Sequence, residues 1–283
     1  MVDHAGDGAP FKNIDDVKRM VNKDIERIYE CVDKKKVCEQ AQFPYRLFGG
    51  EYEYLSEVKE NFKRVVGKME GTVMIVPESC TLYYVLERYG IDWWSFLYHD
   101  YPELSIKYLD ALTEYELARI DNFADISISP ISFTSDPIGV NDNLLFSPNF
   151  TLDVLLPKTK KLIERWKSYG YYYIYFADGF KRPILDEILS WGLIDAVDPF
   201  KSLAHMDVKK FRGRYPNVTI CQPIDCQKLL HSGTPNEIRK ATTRAIKEAE
   251  AKKIFIGSTS EVHPSVPIKN AMMMYETTKN FMA

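Results

Sequence analysis

Several short apolar runs in this 283-residue chain end in residues that can donate, accept or position a proton. They lead into Glu78-Ser79-Cys80, Ser135-Asp136, Asp178-Gly179, Gln222-Pro223-Ile224-Asp225 and the stretch from Ser258 through Ser260 and Glu261 to His263. Carboxylates and one imidazole are suited to general acid–base work. Each also has a plainer use. Asp178 before Gly179 and Asp225 after Pro223 suit turns or helix caps, and His263 beside Pro264 suits a surface loop. Glu78 behind Pro77 is the least distinctive. A common position at the ends of successive strands favours one shared site. Asp178, Asp225, Glu261 and His263 offer oxygen and nitrogen ligands, but the chain has no close His/Cys pair, so a catalytic zinc is disfavoured. Tyr83-Tyr84, Trp93-Trp94 and Tyr171 to Tyr173 could line an aromatic pocket. Core is the commoner place for such residues, and Tyr171 to Tyr173 are expected to alternate across a strand.

The elements that must position these groups are readable from periodicity. The first seventy residues are charged and helix-prone, with a turn-like AQFPYRLFGG between two helical stretches. From Gly71 onward, β-branched and aromatic runs alternate with longer helical patterns. Six strands are predicted, at 73–77, 126–130, 172–176, 195–199, 218–222 and 253–257. Strands spaced this way imply βα units and a parallel sheet, and eight would close a barrel. Asp100 with Glu103 and Thr234 with Glu237 fit capping-box spacing, and Pro235 suits a first helical position. Leu104, Tyr108, Leu109 and Leu112 recur at helical spacing, as do Ile238, Thr242, Ala245 and Ala249. Periodicity alone leaves a closed barrel and an open doubly wound sheet equally open, although no G-x-G-x-x-G follows any strand to support dinucleotide binding.

Composition excludes some function classes. With 45% hydrophobic and 27% charged residues, the chain can bury a core the size of one α/β barrel. Its net charge is −3, with Lys and Arg scattered among nearly equal numbers of Asp and Glu, so no basic face is offered to nucleic acid. No apolar run reaches the ~20 residues of a membrane helix, and no secretory layout opens the chain; a cytoplasmic location is expected. Five cysteines without a C-x-x-C pair point to reduced thiols.

From residue 71 to the end, the chain resembles the uroporphyrinogen decarboxylase superfamily. The ordered series that carries the resemblance is Asp178-Gly179, Gly192, Asp195, Asp207, Asp225, Gly233-Thr234-Pro235 with Glu237, His263-Pro264, Pro267 and Asn270. Pro102-Glu103, Asp125, Asp136, Ser147-Pro148 and Pro157 fit in the middle. The resemblance implies an (α/β)8 TIM-type barrel over 71–283, with 1–70 as a helical segment packed on it. The first residues, Asp7-Gly8-Ala9-Pro10-Phe11-Lys12, resemble a segment normally well inside such proteins, so a shortened or altered N-terminal part is expected.

The resemblance also separates functional branches. The porphyrinogen decarboxylases carry an Arg-Gln-Ala-Gly-Arg segment whose arginines hold propionates; it is absent here, and acids at the rim would repel carboxylates. Zinc-dependent methyltransferases carry His-x-Cys and a later Cys, and the matching slots hold Phe176, Asp178 and Ser260. The remaining branch implies transfer of a methyl group from a small donor, such as an aryl methyl ether, to a corrinoid (cobalamin) carried by a separate corrinoid-binding protein. In that reading His263 or Asp178 is the acid to the leaving group, and Asp225, Asp136 and Gln222 fix geometry. Tyr84 and Phe176 line an apolar donor pocket, and Glu78, Ser260 and Glu261 complete the substrate-binding rim. A homodimer is compatible with this reading. Decarboxylation of a carboxylated substrate and a catalytically silent binding barrel remain as alternatives.

Overall fold

The computed structural model describes residues 11–39, 52–69, 76–140, 142–201 and 205–282. They group into two compact units. Residues 1–136 with 149–172 make the first, and 137–148 with 173–283 the second.

The first unit is mainly helical. Helix α1 (Ile14–Lys34) starts where Asn13 accepts a hydrogen bond from the Asp16 N–H, with Asp15 and Asp16 in its first turn. Val17, Val21, Ile25 and Ile28 make its buried stripe, which packs chiefly on α4 (Pro102–Phe123). Helix α2 (Leu55–Met69) packs on α4 too, through Leu55, Val58 and Phe62. Helix α3 (Leu82–Asp100) is kinked at Gly90, whose φ of 71° is cheap for glycine. A π-helical turn, Phe150–Leu155, leads into α5 (Leu156–Ser168). Strands β1 (Glu78–Ser79) and β2 (Ile131–Thr134) pair in parallel, Glu78 beside Phe133.

Two expectations in this unit need correction. The second strand is not at 126–130 but at 131–134, because Asp125 caps a turn first: its carboxylate accepts from the Ser127 N–H and hydroxyl at 3.1 and 2.6 Å. The Asp100–Glu103 capping box does not form, since α3 runs through Asp100 and Tyr101 becomes the cap of α4, with Pro102 opening the helix. Of the first predicted strand, residues 73–75 lie outside the described residues; Val76 and Pro77 directly precede β1. A short β3, Asp136–Pro137, was not anticipated.

The second unit is built of βα repeats. Strands β4 (Tyr172–Asp178), β5 (Ala196–Asp198), β6 (Thr219–Cys221) and β7 (Ile254–Phe255) run parallel, each beside its predecessor, and match the predicted positions. Tyr173, Tyr175 and Ala177 are buried while Tyr172 is exposed, the alternation expected of β4. Between strands lie α6 (Arg182–Ser190), α7 (Val208–Arg214) and α8 (Pro235–Glu248), with α9 (Ile268–Met282) last. The Thr234–Glu237 capping box forms as expected. Ile238 and Ala245 of α8 pack with Ala271 and Met274 of α9 and with Leu230 in one cluster. All five cysteines are free and buried. No described helix is long and apolar enough to cross a membrane.

Candidate functional site

In the first unit the expected residues lie on a buried polar network. Asp136 is 2% exposed and its carboxylate caps the start of α3, accepting from the Thr81 and Tyr83 N–H groups at 3.0 Å. Burial nonetheless raises its carboxyl to about 6. Tyr84 is buried and donates to Glu116 at 3.2 Å. Arg119 grips the same Glu116 with two hydrogen bonds, 2.8 and 2.6 Å, and also donates to the Glu78 carbonyl. Trp166 donates to Ser79 at 2.7 Å. Burial pushes the Glu78 carboxyl up, opposed by a Ser135 hydrogen bond and the Arg119 charge. Tyr84 is therefore core with a polar tip, and Glu78 sits one hydrogen bond from a buried ion pair.

In the second unit four of the expected polar residues belong to one electrostatic group. Asp178, at the carboxyl end of β4, is ion-paired with Lys201 at 2.5 Å. Ser260 donates to Glu261, and that bond holds Glu261 below the usual carboxylate range, with a backbone N–H and the His263 and Lys201 charges adding to it. His263 shares its Nδ1 with the Ser265 hydroxyl at 2.6 Å. Phe176 is half-buried one pleat before Asp178. Gln222 has a φ of 55° and its side chain lies against Gly257.

Asp225 is committed elsewhere. Its carboxylate accepts from the N–H groups of Gln227, Lys228 and Leu229 at 3.0–3.1 Å, capping the π-helical turn Cys226–Leu230. We expect Asp225→Ala to lower stability by about 1–2 kcal/mol in urea denaturation, as for loss of a helix cap. Unchanged stability would remove the capping role.

Sequence reasoning passed over three residues beside this group. Lys181 is buried, and its ammonium donates to the carbonyls of Ala177, Asp198 and Pro199 at 2.5, 2.9 and 2.9 Å. Burial pulls Lys181 down to about 7, against the Asp198 and Asp178 charges, while three carbonyl acceptors use all three protons of the charged form. Asp198, the last residue of β5, has its carboxyl raised by burial to about 6, and its Oδ1 is buried with no hydrogen-bond partner among the described residues. Lys201 is the third. Asp198 and Lys201 fall at the end of the fourth predicted strand, where the run Asp198-Pro199-Phe200-Lys201 was the available signal, and Lys181 follows the third.

The turn after β4 is locked by backbone. Gly179 has a φ of 80°, and a Cβ there would fall 1.9 Å from the Gly139 carbonyl oxygen. Gly139 N–H donates to the Asp178 carbonyl at 3.1 Å and Phe180 N–H to the Val140 carbonyl at 2.6 Å.

The zinc slots do not fit a zinc ion: Phe176 has no ligand atom, Asp178 is held by Lys201, and Ser260 is bonded to Glu261. Among the described residues no three His, Cys, Asp or Glu side chains are grouped to hold a metal.

Parallel strands in sequential order, with polar groups at their carboxyl ends, define an α/β-barrel type of protein. The uroporphyrinogen decarboxylase (URO-D) family matches residues 80–281, and the chain belongs to that family. A solved structure, a methyltransferase from Methanosarcina mazei, is similar to it with a TM-score of 0.63 at 17% identity; the match covers 82% of this chain and 66% of that one. No curated protein sequence matches the chain.

Proposed function

We propose that this protein is a methyltransferase that moves a methyl group from a small methylated donor, such as an aryl methyl ether, to a corrinoid carried on a partner protein. The observation that carries this reading is the second-unit rim, where Asp178, Lys201, Glu261 and His263 gather beside half-buried Phe176. Family membership and the likeness to the Methanosarcina mazei methyltransferase support the general class. Of the cationic groups there, Lys181 is spent on backbone carbonyls and Lys201 on Asp178, so the rim is poorly equipped to hold a substrate with several carboxylates. That disfavours porphyrinogen decarboxylation.

A reduced corrinoid supplies a strong nucleophile, so the protein's tasks are to hold the donor, align its methyl carbon and stabilise the leaving atom. Phe176 offers an apolar contact to the donor. The Asp178–Lys201 pair and Glu261 fix the polar edge of the site, and His263 can share a proton there.

The test is an anaerobic absorbance assay with cob(I)alamin and a panel of aryl methyl ethers, methylamines and methanol. Formation of methylated corrinoid with one donor class is the expected result. No transfer from any donor, with free cobalamin or a corrinoid protein as acceptor, would leave the decarboxylase and silent-barrel readings in its place.

A further inference from the structure

We propose that Asp198 is the proton donor to the leaving atom of the methyl donor, an assignment that rests on the methyl-transfer reading above. Three observations point to it. Asp198 ends β5, where barrel enzymes place their chemistry, and it lies in register beside Phe176 of β4. Its Oδ1 is buried without a hydrogen-bond partner among the described residues, a state that folded proteins rarely keep without use. The other carboxyl groups in the second-unit rim are occupied: Asp178 by Lys201, Asp225 by three backbone N–H groups, and Glu261 by Ser260.

The charged groups facing Asp198 oppose one another, and burial decides the direction. Lys181, ahead of α6, and Asp178 of β4 act on it with opposite sign, and the Cys221 thiol of β6 is itself held up to about 12 by burial and by Asp198. Burial is the larger effect on Asp198 and keeps it protonated to about 6.

The step balances simply. The corrinoid's lone pair forms the new bond to the methyl carbon as the carbon–oxygen bond breaks, leaving that bond's electron pair on the donor oxygen. The Asp198 proton moves to this oxygen, giving a phenol or alcohol and an Asp198 carboxylate that solvent reprotonates. The corrinoid cobalt is formally oxidised by two electrons as the methyl group arrives.

The test compares wild type and Asp198→Asn with two ethers, anisole and 4-cyanoanisole, using cob(I)alamin as acceptor. Cyanophenolate leaves with little need of a proton, whereas phenolate benefits from one. Asp198→Asn should therefore lose about a hundred-fold or more on anisole but much less on 4-cyanoanisole. Wild-type anisole turnover should fall as pH rises through about 6, because the acid form is the working one. Equal losses on both ethers, or no loss on anisole, would overturn the assignment while leaving methyl transfer intact. An inactive wild type would instead overturn the methyl-transfer reading and this step with it. Lys181 holds the Asp198 carbonyl rather than its carboxyl, so the variant should fold. If it does not, the wild-type pH profile decides, and a flat anisole profile counts against Asp198.

Discussion

Arg119→Met should lower the unfolding free energy by about 3–5 kcal/mol in urea denaturation, the usual cost of removing one partner from a buried ion pair. The reason is what the variant leaves behind. Glu116 is fully buried, and both of its oxygens accept from Arg119. Methionine fills much of the space but donates nothing, so a carboxylate remains in the core with the Tyr84 hydroxyl as a donor to it. The Glu78 carbonyl and the Ser79 hydroxyl lose a donor as well. A loss below about 1 kcal/mol would mean that the pair behaves as an exposed one does. The double variant Arg119→Met, Glu116→Leu should recover much of the loss, because the uncompensated charge has gone.

Lys181→Met should cost about 3 kcal/mol, by the same measurement, through a different imbalance. Each carbonyl left without a donor costs about 1–3 kcal/mol, and three are exposed to that fate: Ala177, Asp198 and Pro199. Removing a buried ammonium relieves its own desolvation, so the net effect is smaller than the sum. These carbonyls lie at the carboxyl ends of β4 and β5, so the variant should also loosen the Phe176–Asp198 register and slow methyl transfer. Stability equal to wild type would show that the lysine is dispensable as a tie between the strands.

Much of the second unit was legible in the sequence because its local signals agree. YYYIYFA alternates, Thr234-Pro235 with Glu237 announces α8, and the helical spacing of Ile238, Thr242 and Ala245 turns one face inward. Strand 126–130 was misplaced because apolar residues around Ser127 look like a strand until the Asp125 turn is counted. Arg119 and Glu116 were missed although they continue the stripe of Tyr108 and Leu112 at helical spacing; charges on an apolar stripe are a sign of a buried pair. The Asp178–Lys201 pair was not legible at all. Whether two charged residues meet depends on strand register and loop path, which no local pattern records. The commitment of Asp225 to a cap was one of two readings its position allowed, and its hydrogen bonds favour the plainer one.

The contact between Gly139 and Gly179 has an evolutionary consequence. Two main chains meet there with no side chain between them, and neither position has room for even a methyl group. The strap that sets the turn after β4 is thus indifferent to the chemistry around it. Phe176, Asp178 and Phe180 could each drift to suit a new donor while the turn keeps its path. Selection for altered substrate choice would act on those neighbours, and purifying selection on the two glycines.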